Sequence, residues 1–207
     1  LVPLDEDGNT EFTGDMFAAP LATTTRYRRA DVQLSMPCRP GKMIGLWNNF
    51  HERARVEGFG RPAHPLYFLK SNNSFAGHGG HIRRPPGYDG QVVFEGELGI
   101  VIGKRCAGSA PVDAIFGYTC VNDVTARDLL RADPSFPQWT RAKGFDGFGV
   151  FGPCIATGLP VDALRVQVLL SGELKQDYPV SDMFFAPAEI VRCLAADMTL
   201  EPGDIIA

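Results

Sequence analysis

Between residues 92 and 104 the side chains sort by strict alternation onto two faces. Phe94, Gly96, Leu98, Ile100 and Ile102 fall on one face; Val93, Glu95, Glu97, Gly99 and Val101 fall on the other. A period of two predicts a β-strand. Short apolar runs at 43–46, 66–69 and 116–121 predict three more strands, and residues 166–170 with 174 onward predict a hairpin around Ser171-Gly172. Helical spacing is rarer. Residues 48–57 read as a helix ended by Gly58 and Gly60. Thr125, with Asp128 three residues on, reads as the N-cap of a helix through Asp133. Pro187 suits the first turn of a helix carrying Ile190, Val191, Leu194 and Met198 along one stripe.

A turn at 107–111 leads through a short helical piece to the strand at 116–121, and residues 144–152 form an aromatic, glycine-rich loop. Pro202-Gly203-Asp204 is a turn that launches Ile205-Ile206, and an end on the first residues of a strand leads us to expect more chain beyond Ala207. Residues 1–40 are polar and weakly periodic, an arm or the remnant of a small N-terminal module ahead of a main domain at 41–207. Many short strands, long loops and three or four helices do not make a regular βαβ alternation. The expected class is mixed α/β, mostly β, with helices at the periphery.

Composition narrows the function. The chain has 207 residues, 20 basic and 24 acidic, for a net charge of −4. Mild acidity gives no electrostatic reason to expect nucleic acid or an anionic membrane as partner. No window offers the roughly 20 apolar residues of a membrane helix, and residues 1–10 lack a basic start and an apolar stretch, so no secretory signal is expected. Five scattered cysteines without a C-x-x-C pair fit reduced thiols in a cytoplasmic protein.

Glu95 and Glu97 change the picture most. Alternation puts both carboxylates on one face of an apolar strand, about 7 Å apart at the backbone. Buried like charges repel and lose hydration, so a cation or a proton must compensate. An acidic face turned to water would explain the pair equally well. Asp123, placed after the apolar run 116–121, adds a third acid. Oxygen-only ligands suit a hard cation: Mg²⁺ or Mn²⁺, with Ca²⁺ also compatible.

The motifs around these acids are recognisable. Phe94-Glu95-Gly96-Glu97-Leu98 with the following Gly-Ile-Val-Ile-Gly-Lys, and Gly117-Tyr118-Thr119 to Asn122-Asp123-Val124-Thr125-Ala126-Arg127-Asp128, resemble segments of the fumarylacetoacetate hydrolase family. Ala142-Lys143-Gly144-Phe145-Asp146, Phe151-Gly152-Pro153 and 199–204 continue the series in order, so the resemblance runs from about Met43 to the end. It implies a β-roll fold, a homodimer, and Mg²⁺ or Mn²⁺ on Glu95, Glu97 and Asp123. It also implies catalytic roles for Lys143 and for His51 of a lid helix, with Lys70 near the substrate. Arg127 and Gln138 are further candidates for contact with substrate. The activity it implies is hydrolysis of a C–C bond in an acylpyruvate- or fumarylacetoacetate-like acid through a metal-stabilised enolate. Decarboxylation or isomerisation of a 2-oxo diacid is the alternative, and a non-catalytic metal- or metabolite-binding relative is the reading from another class.

Two departures bear on that choice. Hydrolases of the family often carry a glutamate three residues after the lid histidine, where this chain has Ala54, and often a glutamine where it has Leu130. Glu52, next to His51, diverges from it by about 100° on a helix and is a poor substitute. His64, His78 and His81 are expected to be polar loop residues.

Overall fold

The computed structural model describes residues 8–111 and 113–207. Its strands are β1 (Asn9–Thr13), β2 (Leu21–Tyr27), β3 (Met43–Trp47), β4 (Leu66–Lys70), β5 (Phe75–Ala76), β6 (Val92–Val93), β7 (Gly96–Ile102), β8 (Ile115–Asp123), β9 (Thr125–Ala126), β10 (Gly149–Ala156), β11 (Arg165–Leu170), β12 (Glu173–Pro179) and β13 (Ile205–Ile206). The α-helices are α1 (His51–Glu57), α2 (Trp139–Lys143) and α3 (Pro187–Asp197).

Seven strands form one curled sheet in the order β4-β3-β13-β7-β8-β10-β5. Two residues of β13 are central to it: Ile205 and Ile206 run parallel to Met43 and Ile44 of β3 and antiparallel to Val101 and Ile100 of β7. The alternation along β7 sorts its side chains as the sequence predicts. Ile100 and Ile102 join Ile44, Ile206 and the apolar stripe of α3 (Ile190, Val191, Leu194) in one core. Val101 points the other way, into a core with Met43, Val121, Phe151 and Ile205.

The strand expected at 92–104 is broken. Val92 and Val93 pair with Ala126 and Thr125, whereas the long ladder to β8 begins only at Gly96 opposite Asn122. Phe94 and Glu95 lie at the step between two sheets. For the same reason Thr125 is not a helix cap. It is strand, its hydroxyl donates to the carbonyl of Asp123 at 3.1 Å, and only a 3-10 turn (Arg127–Arg131) follows. Tertiary pairing has overridden a local capping signal.

The N-terminal arm is more ordered than its weak periodicity predicts. β1 and β2 pair in an antiparallel hairpin, and Met16, Phe17 and Met36 pack on the core around Val101. Residues 1–7 of that arm, on which the absence of a secretory signal was read, lie outside the described residues. No helical piece precedes β8 among the described residues; position 112 within it is not described. The hairpin at Ser171-Gly172 forms as expected, with φ of 52° and 82°, the left-handed pair that a two-residue turn between twisted strands requires.

Candidate active site

Glu95, Glu97 and Asp123 converge. One oxygen from each lies within 4.8 Å of the others, although Glu95 precedes β7, Glu97 is its second residue and Asp123 is the last of β8. Asn122 makes the step possible. Its side-chain oxygen accepts the Glu95 amide at 3.1 Å, while the Glu95 carbonyl accepts the Asp123 amide at 2.9 Å. The broken ladder is thereby satisfied, and Glu95 turns its carboxylate towards Glu97.

Gly96, between the two glutamates, is where another element approaches. Its amide donates to Gln176 Oε1 at 2.9 Å and its carbonyl accepts from Tyr178 Oη at 2.7 Å, both from β12. A Cβ at this position would press into Val168 of β11 well inside van der Waals distance. The glycine lets the β11–β12 hairpin clamp the strand.

Two buried lysines face the acids. Lys70, at the end of β4, bonds Asp123 Oδ1 with its side chain wholly enclosed. Gly149 makes room for it, since a Cβ there would stand 3.3 Å from Lys70 Cε. Lys143, at the end of α2, bonds Asp123 Oδ2 and lies 2.5 Å from Glu95 Oε2. Its ammonium also sits 5.0 Å from the centroid of the Phe68 ring. Burial lowers the Lys70 pKa more than Asp123 raises it. Burial also pulls on Lys143, but Asp123, Glu95 and Glu97 together outweigh it and the net shift is upward. The two ammoniums thus respond oppositely because Lys143 meets three acids at close quarters.

Glu97 has no such partner. Its Oε2 is buried without a hydrogen bond, and its carboxyl is pushed well above the usual range, first by burial and then by the charge of Asp123. Three carboxylates against two ammoniums leave a surplus negative charge, and the exclusively oxygen donors suit a hard dication. An orphaned oxygen at the centre of such a cluster fits a metal ligand.

The acids open on a cleft of about 1030 Å³, lined by Glu95, Glu97 and Lys143, by the guanidinium-bearing Arg127 and Arg131, and by Trp47, Phe68 and Trp139. Arg127 and Arg131 have no ion-pair partner among the described residues. The other candidates stand elsewhere. Lys70 holds Asp123 from beneath and does not line the cleft. Gln138 donates to the Phe136 carbonyl at 3.4 Å and is also outside it. His51 opens α1, but the stripe of that helix facing the cleft is Glu52, Arg53, Val56 and Glu57; the His51 ring lies 4.2 Å from that of Phe184. Ala54 is buried. Asp182 pins the helix by accepting the Glu52 amide at 3.0 Å.

Asn122, Gln176 and Tyr178 are positioning residues that sequence reading missed. A glycine inside an apolar strand marked the place of close approach, but nothing local marked which segment would come.

The family model of the fumarylacetoacetate (FAA) hydrolase C-terminal domain matches residues 42–207. Oxaloacetate tautomerase YisK of Bacillus subtilis is 36% identical over 191 residues, a match that takes in 87% of this chain and 62% of that protein. The structure of 2-hydroxyhepta-2,4-diene-1,7-dioate isomerase from Mycobacterium marinum superposes with a TM-score of 0.87 at 36% identity, over 99% of this chain and 79% of that one. Maleylpyruvate hydrolase from Sphingobium sp. SYK-6, in complex with manganese(II) and pyruvate, superposes at 0.73 and 28% identity, over 88% and 65%. No helix among the described residues is long and apolar enough to cross a membrane. By the matched domain, the ordered motifs and the shared fold, this chain belongs to the fumarylacetoacetate hydrolase family.

Proposed function

We propose that the chain is a divalent-metal-dependent enzyme that enolises a small 2-oxo or 2,4-dioxo acid, with proton transfer or decarboxylation as the outcome. The observation that carries this reading is the cluster of Glu95, Glu97 and Asp123, with the partnerless Glu97 Oε2, beside Lys143 in the cleft. Those three acids would hold Mg²⁺ or Mn²⁺, and such an ion supplies Lewis-acid polarisation of a 2-oxo acid.

The remaining work falls to the chain's own side chains. Lys143, fixed by Glu95 and Asp123, adds positive charge where the oxygen of a substrate enolate develops. Arg127 and Arg131 attract the carboxylates of the acid, and a guanidinium binds a carboxylate with two parallel bonds. Trp47, Phe68 and Trp139 keep that side of the cleft dry, which strengthens each of these interactions.

Hydrolysis needs a base that activates water, proton transfer needs a base that takes the C3 proton, and decarboxylation needs neither. His51 lies off the cleft and Ala54 brings no carboxylate to help it, which leaves decarboxylation in first place, with proton transfer beside it on the likeness to a tautomerase and an isomerase. C–C bond hydrolysis is the second reading, supported by the likeness to a maleylpyruvate hydrolase with bound manganese.

Deuterium uptake at C3 of oxaloacetate and of acetylpyruvate, followed by mass spectrometry with Mg²⁺, tests the proposal. We expect uptake, or carbon dioxide release, that stops with chelator and in Asp123→Asn. Turnover indifferent to chelator rejects the site. Cleavage of acetylpyruvate without exchange in the remaining acid moves the second reading to first place.

A further inference from the structure

One wall of the cleft is shared with a second hollow of about 420 Å³. Trp47, Phe68, Leu130, Arg131 and Trp139 line both spaces. The far side of the second hollow is apolar too, with Leu66 and Tyr67 of β4. The shared wall is an aromatic run. Phe68 and Trp139 stack at 5.0 Å with their planes 15° apart, and Trp47 meets Trp139 edge-on at 6.2 Å. Phe68, at one end, carries the Lys143 ammonium over its ring, so the run begins at the acid cluster and leads away from it. Arg131 borders both hollows with a planar guanidinium free of ion pairs among the described residues, and such a plane stacks on aromatic rings.

We infer that the second hollow is a specificity subsite for an aryl group on the distal end of the oxo acid. The acid end of the substrate lies at Glu95, Glu97 and Lys143, and the aryl end lies between Trp139, Leu130 and Leu66. The preferred substrate class is then an aryl-substituted 2,4-dioxo acid over a short aliphatic one. This inference rests on the oxo-acid reading above, and its test keeps the two apart.

Benzoylpyruvate and acetylpyruvate share the dioxo acid and differ in a phenyl for a methyl group. Their dissociation constants and kcat/KM are measured on the Mg²⁺-loaded protein, on Leu66→Asp and Trp139→Ala, and on Trp139→Phe as the conservative control. The full chain is used, with folding checked by circular dichroism. Burial of the phenyl group should make benzoylpyruvate bind about 10- to 100-fold more tightly. Leu66→Asp and Trp139→Ala should bring that ratio towards unity, and Trp139→Phe should keep it. Equal binding of the two acids to the unaltered protein, or a ratio that neither variant moves, overturns the subsite whatever the turnover. A ratio as expected without turnover of either acid keeps the subsite and overturns the enzymatic reading. If Leu66→Asp changes the oligomeric state and leaves the ratio intact, the hollow is a contact between copies and the inference falls.

Discussion

Glu97→Gln separates what the acid cluster costs from what it does. Glu97 Oε2 is buried without a partner, and burial and the Asp123 charge raise its pKa well above the ordinary 4.5. The folded state therefore binds this proton more tightly than the unfolded state does. The stability that it contributes is present below pH 4.5 and is lost as pH rises through the raised value. Once pH exceeds that raised value, the metal-free protein carries a buried charge there with no hydrogen-bond partner. Glutamine keeps the shape, removes the charge and offers an amide to Asp123 or Glu95. Relief of a buried unsatisfied group contributes about 1–3 kcal/mol. For a chain of this length each kcal/mol moves Tm by about 2–4 °C.

In chelator, at pH above that raised value, the variant should therefore melt several degrees above the parent, with the gain shrinking as pH falls towards the ordinary carboxylate range. With metal the order reverses. An ion at a thousand times its Kd stabilises the parent by about 4.1 kcal/mol, and the variant, one carboxylate short, gains little. Thermal denaturation of both proteins in chelator and in Mn²⁺, across pH, reads both signs at once. A variant that melts lower than the parent in chelator refutes the account of Glu97 as a frustrated ligand. An equal response to Mn²⁺ refutes the metal site itself.

Three further substitutions probe the supports of the site. Lys143→Met should leave metal binding in place and lower kcat by about 100- to 1000-fold, the usual loss for one preorganised oxyanion partner; a loss below tenfold, beside a metal titration showing a loaded site, denies it that role. Lys70→Met removes a wholly enclosed partner of Asp123 and should cost the metal-free protein about 3 kcal/mol in urea denaturation. Saturating Mn²⁺ should restore much of that stability, and no restoration would mean that Lys70 supports the fold independently of the acids. Gly96→Ala forces a methyl group against Val168 and should cost about 1–3 kcal/mol. Val168→Ala in the same chain should recover part of it, and strict additivity of the two would contradict the clamp.

What was legible in the sequence is what depends on near neighbours. From Gly96 on, the period-two pattern determines which side chains share a face, and the sorting of Ile100 and Val101 into opposite cores follows from it. The stripe on α3 and the turn at Ser171-Gly172 are local in the same sense. Pairings between distant segments were not legible. Thr125 has a capping residue's chemistry, yet Val93, some thirty positions earlier, recruits it into a strand. Asn122 takes on its positioning role only where the break at Phe94 and Glu95 gives its side chain an amide to accept. Lys70 follows a short apolar strand and only the resemblance sets it near the site; Gly149 and Asp123 make it a buried counter-charge. Charge balance at the acids is thus set by residues 20 to 53 positions away from Asp123, supplied by separate segments. The same reasoning explains His51. Its place in a motif is a local property, but whether its ring reaches the cleft depends on Phe184 and Asp182, which fix the orientation of α1 from the far side of the chain. A motif therefore identifies the acids with more force than it identifies the base, because Glu97 and Asp123 stand on paired strands with Glu95 tied to them through Asn122, whereas a lid residue borrows its geometry from elsewhere.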